Sequence, residues 1–532
     1  MSTPDPRPDG RRPDWSGDPA DPSVDPTARQ PRPRRSGPRP AVDREAAVRP
    51  ARDRRARLIL GESPTEPMPM ADLLRRTPYR YTRIPNQAAE DAKVRAALDL
   101  AVRVGELMLR CGAGAPQVQG SVAAVAAASG VDLVEVDITL QSLLVQATSS
   151  DGRPHTLLRV VRSNRHDYAR LVAVHQLVEE LTAGEIEPSV AAERLRSIKR
   201  HPRNFPAWAV SAANAVLASA VAVMIGASPL AAVATVAVVL VVTGVSRLHN
   251  RIDLPEFYGN AINAVVATLL AGGVYAVSTA AGLGLRERDF AFIVAGGIVA
   301  MLPGRTMASA IEDVLFGFPL TGAGRLLAVF LALLGIVIGV AGGLSALLTL
   351  TEAIGSDFVS PSVLDLRSDQ SAVLAALGGA LFVGLAGAVT VQSRRRLVLA
   401  SGVLAVAAAG TAALLNRGFG IGIITATGVA AVALGVVGRV VANRLGAPSM
   451  VVVIPASFGL LPGLTIFRGL YELVAQSGGA AGSLSIQSGI TTLLGAGAVL
   501  LAIASGTVLG EILAAPWDRT RGPATTDNTS SP

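Results

Sequence analysis

Two acids stand in matched surroundings. Met301-Leu302-Pro303-Gly304 is followed by Asp313 nine residues beyond its glycine, and Leu460-Leu461-Pro462-Gly463 is followed by Glu472 at the same distance. A carboxylate near a membrane cavity titrates usefully once desolvation raises its pKa, which makes Asp313 and Glu472 candidate proton carriers. Glu312 and Arg305 lie near Asp313 in sequence and are candidates for tuning it. Pro303 and Pro462 each remove a backbone donor and break a helix, while Gly304 and Gly463 let the chain turn. A second polar pair, Asn260 and Asn263, follows Pro255-Glu256 at the start of a long apolar stretch. Their amides suit the ammonium or carboxylate of a zwitterion, and they suit hydrogen bonds between helices equally well.

Other chemistry finds less support. The sequence has no Walker A pattern, dinucleotide fingerprint or HExxH, so ATP drive by this chain alone is unsupported and no cofactor or metal is expected. Cys111 with His155 or His166 has the residue types of a nucleophile and base, but no spacing demands that use. A single cysteine also excludes a disulfide framework. Glu511 reads as an interfacial acid, and Asn416-Arg417 as a loop.

The elements around these residues are mostly apolar. Half of the 532 residues are hydrophobic, 17% are charged and 4% aromatic, with 54 glycines. Small residues at that density suit close-packed membrane helices. Ten apolar segments follow one another at 207–226, 230–248, 258–281, 289–303, 322–349, 371–391, 397–415, 419–441, 447–463 and 489–514. About 20 apolar residues are needed to span a bilayer, and residues 1–206 hold no such run. The expected fold is therefore a polytopic α-helical membrane protein.

The offset between the two Pro-Gly elements is 159 residues, and the same shift carries the third segment almost onto the eighth. Five segments per half is an odd number, so the second half enters the membrane inverted. Inverted repeats with interrupted helices at equivalent places are a mark of secondary transporters, and the interruptions point to the site. Either Pro-Gly taken alone is as well explained by an ordinary surface loop.

Ahead of the spans, residues 90–206 read as a small α+β domain. Helices are expected at 90–110, 118–129, 167–183 and 188–199, with strands at 131–138, 143–148 and 156–161. Ser149-Ser150-Asp151-Gly152 reads as the turn between the last two strands. Residues 1–89 are an arm and linker. Its first 60 residues carry 14 Arg against 9 acids and 12 Pro, a composition unable to bury a core. The net charge of +8 therefore reflects this arm and the segment ends, and nucleic acid is not an expected partner.

The positive-inside rule sets the direction. With the soluble domain inside, fourteen Lys and Arg fall in inside loops and five in outside loops. The plan is thus 207–350 as the first five-span half, 351–370 as an acidic external loop, 371–515 as the second half and 516–532 as a tail. Both termini are expected in the cytoplasm, in a bacterial inner (plasma) membrane.

These motifs carry a likeness. Gly105-Glu106-Leu107-Met108-Leu109-Arg110-Cys111-Gly112-Ala113, with Val134-Glu135-Val136-Asp137-Ile138-Thr139 after a short helix, resembles the soluble N-terminal domain of the threonine/serine exporter family. Leu302-Pro303-Gly304-Arg305, with its acid at Asp313, is similar to that family's membrane domain. The likeness covers about residues 90–515. It implies export of threonine and serine from the cytoplasm, driven by the proton motive force. The implied partners are an amino-acid substrate, protons and membrane lipid, with a homo-oligomer allowed. Two other readings stay open: a membrane-anchored hydrolase with its active site in 90–200, and an uncoupled small-solute channel.

Overall fold

The computed structural model describes residues 92–517, apart from 132, 149–153, 162–165, 300, 355–372, 464, 467, 470–471 and 473–485. The arm, the 149–152 turn, nearly all of the acidic loop and the tail from 518 lie outside the described residues.

Residues 92–200 form α1 (Ala92–Cys111), α2 (Ala115–Ala128), β1 (Val134–Thr139), β2 (Ser142–Thr148), β3 (Pro154–Val160), α3 (Tyr168–Thr182) and α4 (Pro188–Arg200). The strands make an antiparallel sheet in the order β1-β2-β3, with Val136 opposite Val145 and Leu144 opposite Leu158. Leu143, Val145 and Ala147 on β2 are buried together with Leu98, Met108 and Val122. Gly105 lets α1 touch both layers, because a Cβ there would stand 2.6 Å from Val122 and 2.7 Å from Leu143. Gly112 ends α1 with φ +96°, and His166 packs against it. Helix α2 starts three residues earlier than its periodicity suggests, since Pro116 fits the first helical turn.

The apolar segments become α5 (Ala207–Ile225), α6 (Pro229–His249), α7 (Glu256–Ala280), α8 (Glu287–Val299), α9 (Gly304–Leu315) and α10 (Pro319–Ile354). Then come α11 (Val373–Thr390), α12 (Arg395–Ala413), α13 (Ile423–Arg444), α14 (Met450–Ser457) and α15 (Ile486–Ala514). Among the described residues, eight helices are long and apolar enough to cross a membrane. The fourth and ninth of the ten apolar segments do not qualify. They form α8, of 13 residues, and α14, of 8 with a short 3-10 turn at Phe458–Leu460. Every residue from Asp289 to Ile298 and from Met450 to Ser457 is buried, so each short helix is the centre of its own helical set. A proline follows each, and the chain turns there before a full span is reached.

Packing partners recur in order. In the first set α5 packs on α6, α6 on α7, α7 on α10, and α8 on α5, α6 and α7. In the second, α11 packs on α12, α12 on α13, α13 on α15, and α14 on α11, α12 and α13. Glycine makes the tightest of these seams. Gly335, Gly339 and Gly343 of α10 approach Phe257, Ala261 and Thr268 of α7, so the two helices run parallel. Gly506 and Gly510 of α15 approach Gly428 and Gly435 of α13, again in parallel. The start of α10 and the end of α13 both touch residues 92–200, so α7 and α10 run away from that domain and α13 and α15 run toward it. The contact between α5 and α11 joins the two sets.

Candidate functional site

The two helix breaks meet. Helix α8 ends at Val299, Pro303 caps α9, and the chain resumes as α9 at Gly304. Helix α14 and its 3-10 turn end at Leu460, and residue 463 is again helical after Pro462. A Cβ at Gly304 would stand 2.6 Å from Leu461 Cδ1, and one at Gly463 would stand 3.5 Å from Leu302 Cδ1 and 3.1 Å from Val299 Cγ2. Each leucine of one Leu-Pro-Gly therefore lies on the glycine of the other. The described residues of both breaks are half-buried apart from the buried Gly463, and the N–H groups that open α9 lack partners from its own turn, as at any helix start.

Beyond the breaks, the two acids are buried and paired. Asp313 is fully buried; its Oδ1 accepts the Ala115 N–H at 2.9 Å, and its Oδ2 pairs with Arg325 Nη1 at 2.5 Å. Glu472 is 3% exposed; its Oε1 pairs with Arg468 Nε at 2.8 Å, and its Oε2 accepts the Thr492 hydroxyl at 3.0 Å. Sequence reasoning found the acids and missed Arg325 on α10 and Thr492 on α15 as their partners. The Arg325 side chain holds Asp313, while the side chain of Arg305 lies outside the described residues. Glu312 is half-buried beside Gly114 and within electrostatic reach of Glu511 on α15. Glu511 is half-buried, and Arg439 donates to its carbonyl at 2.9 Å. Asn260 and Asn263 stand apart from these acids, on α7 where it packs against α6.

The domain 92–200 grips both helical sets. On the first, the start of α2 binds Asp313, and the Thr321 hydroxyl donates to Ile138 O at 2.9 Å and accepts from Leu140 N–H at 3.0 Å. On the second, Tyr168 N–H and Ala169 N–H donate to Val391 O and Gln392 O, and Gln176 Nε2 donates to Gly446 O at 2.9 Å. Arg394 donates to Gln176 Oε1 at 3.1 Å. Cys111 is 2% exposed, and burial, with the Asp167 carboxylate adding to it, pushes its thiol up to about 12. A thiol held neutral in this way is a poor nucleophile.

Eight apolar helices, with two further helices broken and buried between them, make this a polytopic α-helical membrane protein. Residues 99–347 match the family model described as "Putative threonine/serine exporter", and residues 373–513 match "Threonine/Serine exporter, ThrE". The chain belongs to the threonine/serine exporter family, a family of transporters. It is 30% identical to a "Probable threonine/serine exporter" of Mycobacterium tuberculosis (strain ATCC 25618 / H37Rv) over 455 residues, which cover 85% of this chain and 81% of that protein. It is 27% identical to the "Threonine/serine exporter" of Corynebacterium glutamicum over 443 residues, 81% of this chain and 85% of that one. No solved structure matches the chain.

Proposed function

We propose that this protein is a secondary exporter carrying threonine and serine out of the cytoplasm, driven by the proton motive force. The observation that carries this reading is the reciprocal contact of the two breaks, Leu302 on Gly463 and Leu461 on Gly304. With opposite helix directions and recurring packing partners, it supports a 5+5 inverted repeat in which each broken pair counts as one span. Inverted repeats let one central site open to either side in turn. The start of α9 there carries the positive end of a helix dipole and the end of α8 the negative one, a pairing that suits a zwitterion.

The domain 92–200 sits on the side where Arg325, Arg394 and Arg444 cluster, which supports a cytoplasmic α+β domain and an external 351–370 loop. Asp313 and Glu472 are the proposed proton carriers. A proton arriving on either competes with an arginine for the same oxygen, so titration is tied to the hold on a helix beyond a break. The enclosed thiol of Cys111 argues against the hydrolase reading.

The test is efflux from cells preloaded with threonine or serine, with and without the gene, before and after an uncoupler. Faster efflux that collapses on uncoupling is the expected result. Efflux that persists after uncoupling favours a channel, and no difference between the strains sinks export. A reporter at residue 360 should report an external location; an internal signal overturns the topology.

A further inference from the structure

Helices α6 and α7 enclose polar atoms that no group among the described residues satisfies. Asn263 is 3% exposed, and its Nδ2 donates to Ser246 Oγ at 2.8 Å while its Oδ1 is buried without a hydrogen-bond partner. Asn260, one turn earlier on α7, has its Nδ2 buried and likewise without a partner. His249 ends α6 with its Nδ1 in the same condition. Its ring lies on Gly259, where a Cβ would stand 3.0 Å from Nε2. Ser246 and His249 share a face of α6, and Gly259 and Asn263 share a face of α7, with Asn260 beside them.

Interhelical bonding explains one end of one amide and nothing else in this cluster. Buried polar groups in native proteins find partners, and an unmade hydrogen bond costs more than a made one returns. Three unmet atoms within two adjacent turns therefore call for a guest. The guest must accept from Asn260 and donate to Asn263. A hydroxyl meets those terms, since it donates once and accepts twice. Ala267, one turn beyond Asn263 on α7, lies against Gly297 of α8.

We infer that His249, Asn260 and Asn263 form the subsite that receives the side-chain hydroxyl of the exported amino acid. This rests on the export reading above. It gives the site a means of telling threonine from valine, which has nearly the same shape and no hydroxyl. A site built to hydrogen-bond a hydroxyl rejects an analogue that lacks it, whereas an apolar pocket of the same size discriminates poorly.

The experiment is uptake of labelled threonine and valine by proteoliposomes holding the full chain. The unsubstituted protein should prefer threonine. Asn260→Leu and Asn263→Leu should each cut that preference roughly three- to tenfold by slowing threonine alone. Ser246→Ala removes the interhelical bond and leaves the unmet Oδ1 in place, so it should keep the preference. If Asn263→Leu fails to reach the membrane, Asn263→Ser is read in its place. An unchanged preference at normal abundance means the cluster holds ordered water only and overturns the subsite. A parallel fall of threonine and valine, reproduced by Ser246→Ala, makes the amides structural and overturns it too. Unsubstituted protein that moves no threonine fails the export reading itself, a result separable from the others.

Discussion

Asp313 and Glu472 each stand nine residues beyond a Pro-Gly, yet they are tied down differently. The Asp313 carboxylate is fully buried, its arginine is 19% exposed and comes from another helix, and its other partner is a backbone N–H of the domain 92–200. Glu472 takes its arginine from four residues earlier on its own helical stretch, with that side chain 44% exposed, and its other partner is the Thr492 hydroxyl. Among the described residues, only Asp313 of the two acids bonds to the domain 92–200. Breaking a buried pair by removing one member costs about 3–5 kcal/mol, and the cost is smaller where one partner reaches solvent, as Arg468 does beside the buried Glu472. The two acids share their spacing from a Pro-Gly, while the groups that hold them differ.

The sharpest way to break that comparison is neutralisation. Asp313→Asn should abolish gradient-driven efflux and lower membrane abundance, because the half-buried Arg325 is left without its carboxylate. Adding Arg325→Gln should restore abundance but not the response to the gradient. Glu472→Gln should leave abundance near normal and reduce gradient-driven efflux less. Equal losses of abundance from the two single changes would show that the difference in exposure does not matter. Full gradient-driven efflux in both would remove the proton-carrier assignment altogether.

The next largest effect belongs to the breaks. A side chain at Gly304 meets Leu461 at 2.6 Å, while one at Gly463 meets its neighbours at 3.1 Å and 3.5 Å. Gly304→Val should therefore impair efflux more than Gly463→Val. Leu461→Ala should partly rescue Gly304→Val, because the clash is with the far end of a side chain. Failure of that rescue, with both proteins inserted normally, would separate the two breaks in function.

A smaller effect tests the domain's hold on the first set. Thr321→Val removes the hydroxyl that bonds both Ile138 O and Leu140 N–H, two neutral bonds of about 1 kcal/mol each. Amide hydrogen exchange at residues 138–142 should rise, and exchange at 391–394, on the other set, should not. A rise at both places would mean that the domain undocks as one rigid piece.

What could be read from the sequence follows from range. Pro303, Gly304, Pro462 and Gly463 announce themselves, because proline and glycine act on the backbone where they stand. The apolar runs at 289–303 and 447–463 look like spans, since composition cannot tell a short buried helix from one facing lipid. Asp313 is legible as an acid at a fixed offset, but its bond to Ala115 crosses 198 residues of sequence and obeys no periodicity. Arg325 was legible as a topology marker only, because nothing in its spacing says that it turns back toward α9. The unmet atoms of Asn260 and Asn263 were beyond reach for the same reason: two asparagines on a helix look alike whether their amides are satisfied or not.

The smallest expected effect concerns Cys111, whose enclosure keeps α1 and the start of α2, and through them the Ala115 bond to Asp313, in place. Its folded pKa, raised from 9.0 to about 12, means that the folded domain favours the neutral thiol and the unfolded chain loses the proton first. Below pH 9 both states hold the proton, so Cys111→Ala should leave efflux at neutral pH almost unchanged. Between pH 9 and about 12 the unfolded state binds fewer protons, so the domain should lose about 1.4 kcal/mol of stability per pH unit. Cys111→Ala should flatten that dependence. Thermal unfolding of the purified protein between pH 8 and pH 10, followed by maleimide labelling of the thiol, reads both quantities. Rapid labelling at pH 8 well below the unfolding temperature would show that the thiol is reachable and ionisable in the folded domain. That result would return Cys111 to the list of reactive groups and reopen the hydrolase reading of residues 92–200.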